Sequence, residues 1–377
     1  MNHKVKLISS DKNWIEGIAV QQLEKTADLP GVVKAVGLPD IHPGKGVPVG
    51  AAFITRGIIY PHLIGNDVGC GIGLWQTGFK TRKFKRDKWV KKLSDLENPW
   101  EGDAKDWLLQ HAVDPFPSSD ASNALGTIGG GNHFAELQAV EKVLDENAFN
   151  ALDLDKNRIM IAVHSGSRDI GNILFRRHAE RFGAQGLYIN DENSEEALSY
   201  LGQHDQAAGW AAASRDLIAH RMCEQLNGEY LPILDIFHNH IEGIQFEDQP
   251  AYIHRKGAAP SDRGAVLIPG TRGSYSYLVQ PIGDQNENAG SLPHGAGRRW
   301  NRRTTKERLK SNYNVDSFYK TDLGGIVICE DKDLLYEEAP QAYKNIDLVI
   351  EDMTEAGHIT VIATLKPLIT YKKRHES

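Results

Sequence analysis

The stretch RIMIAVHSGSR, Arg158 to Arg168, sets the reading of the whole chain: an apolar run from Ile159 to Val163 ends on His164 and passes into a glycine loop that closes on Arg168. An apolar run this short, broken by glycine, reads as a buried strand that delivers a histidine to its end. Further along, GAVLIPGTRGSYSYLVQPI (264–282) reads as two strands around a turn. The tail HITVIATLKPLITYKK (358–373) reads as another strand pair or an extended segment. Upstream, AVGLPDIHPGKGVPVGAAFIT (35–55) is a glycine- and proline-punctuated loop between apolar runs. Helical patterns occur in RDKWVKKLSDLE (86–97) and AKDWLLQHAV (104–113), parted by the breaker NPWEGD, in ILFRRHAERFGAQ (173–185), and over Ser194 to Asn227. Strands and helices are therefore mixed, although periodicity does not fix their arrangement.

His164 is one of several histidines and cysteines set in glycine, asparagine, aspartate or arginine. The clusters are GNDVGCG (Asp67, Cys70), GGGNHFAE (Asn132, His133, Glu136), VHSGSR (His164, Arg168), FHNHIE (His238), HRKGA (Lys256), PGTRGSYSY (Thr271, Ser276) and PHGAGRRWNR (His294 to Arg298). Glycine allows tight turns and close approach to a phosphate, while His, Cys and Asp supply metal-ligand atoms. Singly, each cluster is weak. Asp67-Val-Gly-Cys70 can be a tight turn with a buried thiol, and His133 or His164 can be satisfied by backbone. His238 and His240 flank Asn239, and only one need be a ligand. Together, one Asp, one Cys and three His suffice for two metal ions if the thiolate bridges, and packing does not explain the coincidence. A site assembled from loops is expected.

At 377 residues, with 40% hydrophobic and 25% charged content, the chain is an ordinary globular protein of one to three domains by length. Neither repeats nor low-complexity linkers interrupt it, and motifs run from Asp40 to the C-terminus, so a single domain over 1–377 is expected. No apolar run reaches the ~20 residues of a membrane span. The start MNHKVKLISS lacks a signal-peptide core, so cytoplasmic residence is expected. Cys70, Cys223 and Cys329 form no CxxC pair and no disulfide framework, which fits a reducing compartment. The net charge of −7 means that any polyanion must be held locally. Two basic stretches qualify, Lys80 to Lys92 and Arg298 to Lys310; each can be a solvated face, but the second follows the PHGAG cluster directly.

Neither GCGIGLW nor GTIGGGNHF has the GxGxxG spacing of a dinucleotide fold, and no GxxxxGK[ST] loop occurs. Phosphate binding then falls to loop N–H groups and to Arg168 and Arg298, each four residues after a histidine.

These motifs, taken over nearly the whole chain, resemble those of the RtcB family of RNA-splicing ligases. The resemblance implies a single-domain α+β fold, with mixed β-sheets surrounded by helices and an active site built from loops. It implies GTP and two Mn²⁺ ions as cofactors, and RNA with 3′-phosphate or 2′,3′-cyclic phosphate and 5′-hydroxyl ends as partner. Asp67, Cys70, His133, His164 and His238 match the metal ligands, with Cys70 bridging. His294 matches the histidine that becomes guanylylated, with Arg298, Arg168 and Asn132 beside it in catalysis. Guanylate contacts are implied for Asn132, Glu136, Thr271, Ser276, His294, Gly295, Ala296, Gly297, Arg298, Tyr343 and Lys372.

Asp40, His42 and Lys45 match a family loop, either as a structural turn or as contacts to an RNA end or a metal-bound histidine. Lys256 can contact phosphate or cover a surface; His240 and His254 are read as structural rather than as ligands. The family's serine-methionine after PG is here Thr271-Arg272, and Pro293 precedes His294. These variants resemble a shorter bacterial branch linked with a peptide-release-factor homologue and with repair of tRNA or rRNA. A dinuclear phosphoesterase that only opens cyclic phosphates, and a non-catalytic RNA- or ribosome-binding accessory, are the alternatives. The element HGAGR favours the ligase, since metal hydrolysis does not require it.

Overall fold

The computed structural model describes residues 3–114, 119–189 and 194–374. The run that opened the sequence reading forms the strand Arg158–Ser165, and Ile159 to Val163 are fully buried. It lies inside an eight-stranded, largely antiparallel sheet. The path of that sheet is Val266–Ile268, Ser276–Pro281, Ile359–Lys373, Phe134–Val143, Arg158–Ser165, Gly71–Lys80 and Tyr230–Phe237, with Ile326–Cys329 pairing parallel to Ile359–Lys373.

Register decides what this sheet positions. Phe134 and Ile72 both pair with His164, Gly71 pairs with Ser165 on one side and with Phe237 on the other. Residues 133, 164, 70 and 238 therefore emerge at one common end of four adjacent strands. The tail is one fifteen-residue strand rather than a pair. Its only turn-prone residue, Pro367, pairs with Gln138 and borders a register shift, the kind of irregular position at which a strand admits proline.

The helix Glu195–Leu226 spans 32 residues, roughly 48 Å at 1.5 Å per residue. Its Ile218, Met222 and Leu226 pack with Trp75, Leu137 and Ile161 of the sheet. A second sheet has the order Val5–Leu7, Val32–His42, Val49–Thr55, Gln249–Lys256, Asn239–Phe246. The segment expected as a long loop, 35–55, is thus mostly strand. Only residues 43–48 loop out, and this leaves Asp40 on a strand end, fully buried. Leu38, Ile54, Ile253, Val266, Leu292 and Met353 join the two sheets in one core. The predicted helix over 86–97 ends at Lys92, because Leu93 takes extended backbone and Asp95 a positive φ of 57°; Leu93 and Leu96 are buried instead as an irregular segment. The other helices form at Ala104–Gln110 and Asp169–Phe182. Among the described residues no helix is long and apolar enough to cross a membrane.

Candidate active site

At the shared strand end, five imidazole, thiol and carboxylate groups close on one another. Cys70 Sγ lies 3.5 Å from His133 Nε2 and 3.3 Å from His164 Nε2. His133 Nε2 is 3.0 Å from Asp67 Oδ2, and His164 Nε2 is 3.2 Å from His238 Nε2. Ligand atoms about 2.0–2.3 Å from one ion at tetrahedral angles lie roughly 3.3–3.8 Å apart. Cys70, His133 and His164 form a group able to hold a metal ion. The contacts extend it into two triplets sharing the sulfur: Asp67, Cys70, His133, and Cys70, His164, His238. Burial holds His164 and His238 well below the usual histidine range, in the neutral form that binds metals. Burial and then the Asp67 charge push the Cys70 thiol well above its ordinary value, a penalty that a bound cation reverses. For Asp67, burial pushes upward, but the charge and hydrogen bond of His133 outweigh it and the carboxyl stays below its usual range.

Backbone and buried charge hold the cluster from behind. The His238 N–H donates to the Cys70 carbonyl at 2.8 Å, and Asn239 Nδ2 donates to the Asp67 carbonyl at 3.2 Å. Arg215, fully buried on the long helix, pairs with both oxygens of Asp235 at 2.6 and 2.7 Å. Its Nη1 donates to the carbonyls of Gly69 at 2.9 Å and Ser165 at 2.8 Å, the residues next to Cys70 and His164. A Cβ at Gly166 would lie 2.0 Å from Asp67 Oδ1, so glycine is needed for that carboxylate to take its place.

His294 stands at the boundary of two cavities. One, about 480 Å³, opens over Asp67, Cys70, His133 and His238 and includes Arg168, Asn172 and Gly257. The other, about 240 Å³, is lined by Asn132, Glu136, Thr271, Arg272, Gly295 to Arg298, Glu338, Tyr343, Thr370 and Lys372. Asn132, His294 and Arg302 belong to both. The His294 ring centroid is 5.1 Å from that of His238. Its Nδ1 is 2.6 Å from Asp40 Oδ2, and the same oxygen accepts the His294 backbone N–H at 3.1 Å. With the proton on Nδ1, the Nε2 lone pair is free. Gly257 packs against the ring: a Cβ there would be 2.8 Å from Cε1.

The smaller cavity is rich in buried charge. Glu338, on the loop after Lys332–Glu337, takes Arg298 Nη1 and Arg302 Nε at 3.2 Å each on Oε1 and the Tyr343 hydroxyl on Oε2. Burial pushes Glu338 upward, but the charges of Lys372 and Arg298 and the Tyr343 bond hold it below the usual range. Glu136 is bonded to Thr370 and, at 2.7 Å, to Gln138; burial raises it to about 7. Burial lowers Lys372 to about 8, and its Nζ donates to the Gly131 carbonyl at 3.0 Å.

The sequence-predicted residues mostly converge. Loops supply Asp67, Cys70, His133 and His238, while His164, Glu136 and Lys372 sit on strands. Ser276 lies one layer behind the cavity wall, with Oγ accepting from Gln138 Nε2 at 3.0 Å. Arg298 is committed to the protein, donating to Trp300, Glu337, Glu338 and Tyr343. Arg168 gives Nη1 to the Thr127 carbonyl at 3.2 Å. Lys256 lines neither cavity; its Nζ is 3.4 Å from the Val47 carbonyl. His240 pairs with Glu242 and Arg255, and His254 accepts the Tyr60 N–H at 2.9 Å, both structural roles. His42 stacks 6.2 Å from His294, and Lys45 is exposed. Sequence reasoning missed Glu338, Thr370 and Arg215. Arg302 was visible only as part of a basic run.

A buried thiol and imidazole cluster opening beside a cavity lined by arginines and a lysine defines a candidate metal centre. A family signature described as tRNA-splicing ligase RtcB matches residues 22–102 and 94–373. The chain is 44% identical over 372 residues to an Escherichia coli protein named RNA-splicing ligase RtcB2, covering 99% of this chain and 96% of that one. It is 27% identical over 417 residues to RNA-splicing ligase RtcB of Escherichia coli K12, covering 96% and 97%. Identity to the tRNA-splicing ligase RtcB of Archaeoglobus fulgidus is 28% over 444 residues, covering 94% and 91%. The chain belongs to the RtcB family.

Proposed function

We propose that this protein is a cytoplasmic RNA ligase, a single catalytic domain over 1–377, that joins RNA 2′,3′-cyclic phosphate or 3′-phosphate ends to 5′-hydroxyl ends. It uses GTP, two Mn²⁺ ions and a covalent histidine–GMP intermediate on His294. The observation that carries this reading is the place of His294: on the wall shared by the metal-ligand cavity and the smaller basic cavity, with Nδ1 held by Asp40. The donor set fits the two ions, one among Asp67, Cys70 and His133, the other among Cys70, His164 and His238. When bound, they offset charge developing on phosphoryl oxygens and acidify a water.

In the first step His294 Nε2 attacks the α-phosphorus of GTP; the P–N bond forms, the bond to the bridging oxygen breaks, and pyrophosphate leaves. Asp40 keeps the proton on Nδ1 and stabilises the positive charge that the ring acquires. An oxygen of the RNA 3′-phosphate then takes GMP from the histidine. Attack by the 5′-hydroxyl oxygen on the 3′-phosphorus, with loss of its proton, forms the phosphodiester and releases GMP. A cyclic phosphate is first opened by water. Arg168, Asn132 and Arg302 border the cavity in which the phosphates would lie and supply donors to them.

The 44% identity to the protein named RtcB2, against 27% to the K12 protein, supports the shorter branch. We therefore extend the proposal to repair of cleaved tRNA or rRNA and to a functional link with a peptide-release-factor homologue. The test is end joining of purified RNAs. The ligase reading expects sealed product from 3′-phosphate and 5′-hydroxyl ends only with GTP and Mn²⁺. Opening of the cyclic phosphate without GTP, and with no sealed product, would instead identify a phosphoesterase. Binding without either reaction would identify an accessory. Sealing of nicked tRNA but not of a cleaved rRNA fragment would remove rRNA from the proposal.

A further inference from the structure

Among the described residues no carboxylate pairs with Arg272, on which the Glu338 charge acts without a direct ion pair. Arg272 is 6% exposed and lines the smaller cavity. Nη2 donates to the Leu335 carbonyl at 2.8 Å, and the guanidinium carbon lies 5.8 Å from the Phe318 ring centroid. Nη1 is buried and has no hydrogen-bond partner among the described residues. Glu338, the ionised carboxylate of the cavity, already has both oxygens engaged by Arg298, Arg302 and Tyr343. An unsatisfied buried donor costs its full desolvation penalty, more so on a cation, so the group calls for an acceptor from outside the protein.

The two cavities say which part of a nucleotide that acceptor belongs to. If His294 attacks the α-phosphorus, the α-phosphate lies at the wall the cavities share; Asp67, Cys70, His133 and His238 line the larger cavity, on the side of the leaving phosphates, and His164 borders the smaller one. Arg272, Glu136, Tyr343 and Lys372 line the smaller cavity alone, and so face the nucleoside. A nucleoside has no charge to neutralise, and cations there act as hydrogen-bond donors. Guanine presents two adjacent acceptors, O6 and N7; adenine presents a donor in place of O6.

We propose that Arg272 is a specificity-determining residue for the nucleotide, donating from Nη1 to the O6/N7 edge of guanine. This rests on the ligase reading for the orientation of the nucleotide, and the experiment separates the two. GMP, 7-deaza-GMP, which lacks the N7 acceptor, and AMP are titrated into wild-type protein and Arg272→Met by calorimetry. Protein labelling by α-labelled GTP is followed in parallel as a function of GTP concentration.

Wild type should bind GMP more tightly than AMP by about 10- to 100-fold. In Arg272→Met, GMP affinity should fall by a similar factor, and the preference for GMP over AMP or over 7-deaza-GMP should shrink. Half-saturating GTP for labelling should rise while the saturated rate changes little, a split that loss of folding would not produce. Equal binding of all three nucleotides by wild type would overturn the proposal without any variant, and so would unchanged preferences in Arg272→Met. Absence of labelling in wild type, with the binding preferences as expected, would count against His294 chemistry and leave Arg272 supported.

Discussion

At the scale of single residues, Asp40 holds the Nδ1 edge of His294 and leaves Nε2 as the nitrogen for the proposed chemistry. Oδ2 binds both the Nδ1 edge and the backbone N–H of the same residue. Asp40→Asn keeps the shape but offers an amide that can hold the wrong tautomer. Guanylylation should slow by on the order of 10²-fold or more with little change in half-saturating GTP; equal rates would show that Asp40 is only structural. Glu136 gives a pH signature. Its folded pKa is raised from the ordinary 4.5 to about 7, so its contribution to stability is fully present below about pH 4.5 and is lost as pH rises through about 7. Relative to Glu136→Gln, wild type should lose about 3 kcal/mol across that window in denaturant unfolding; parallel pH profiles would refute the shift. The residues that converge were legible because His, Cys and Asp in glycine-rich loops have few packing uses. Glu338 was not legible, because nothing in LYEEAP marks a carboxylate whose role depends on Arg298 and Arg302 arriving from elsewhere.

At the scale of elements, the long helix reaches through Arg215 to the backbone beside Cys70 and His164, two of the candidate metal ligands. Arg215→Lys cannot pair bidentately with Asp235 and also hold two carbonyls. We expect it to lose about 2–4 kcal/mol of stability and to bind Co²⁺ some 10–100-fold more weakly, with an altered thiolate-to-cobalt absorption band. An unchanged unfolding midpoint together with an unchanged band would show that the clamp does not act on the ligands. The elements themselves were partly legible. Ile159 to Val163 announced a buried strand, and the alanine-rich 194–227 a helix. Their order was not legible, because Ile72 meets His164 through a pairing that no local pattern encodes. Asp40 looked like a loop residue because proline and glycine surround it, yet the strand runs on through Pro39 to His42, across a register shift between Gly37 and His42.

At the scale of the whole molecule, a net charge of −7 requires that RNA be gripped locally. The basic run that begins at Arg298 continues from the candidate site into the helix Arg302–Lys310, where Arg303 and Arg308 are exposed. Replacing both by Glu should weaken RNA binding and lower the slope of log affinity against log salt by about 1–2, without changing protein labelling by GTP. The same change at Lys83 and Lys88, on the other basic face, should do neither. Equal effects from both pairs would mean that the charge acts diffusely. The central claim is that His294, beside the shared-sulfur cluster, carries the nucleotide, and the most direct measurement is denaturing electrophoresis after incubation with α-labelled GTP and Mn²⁺. Wild type should carry acid-labile label, while His294→Ala should carry none and still bind Mn²⁺; label that persists in His294→Ala would contradict the account.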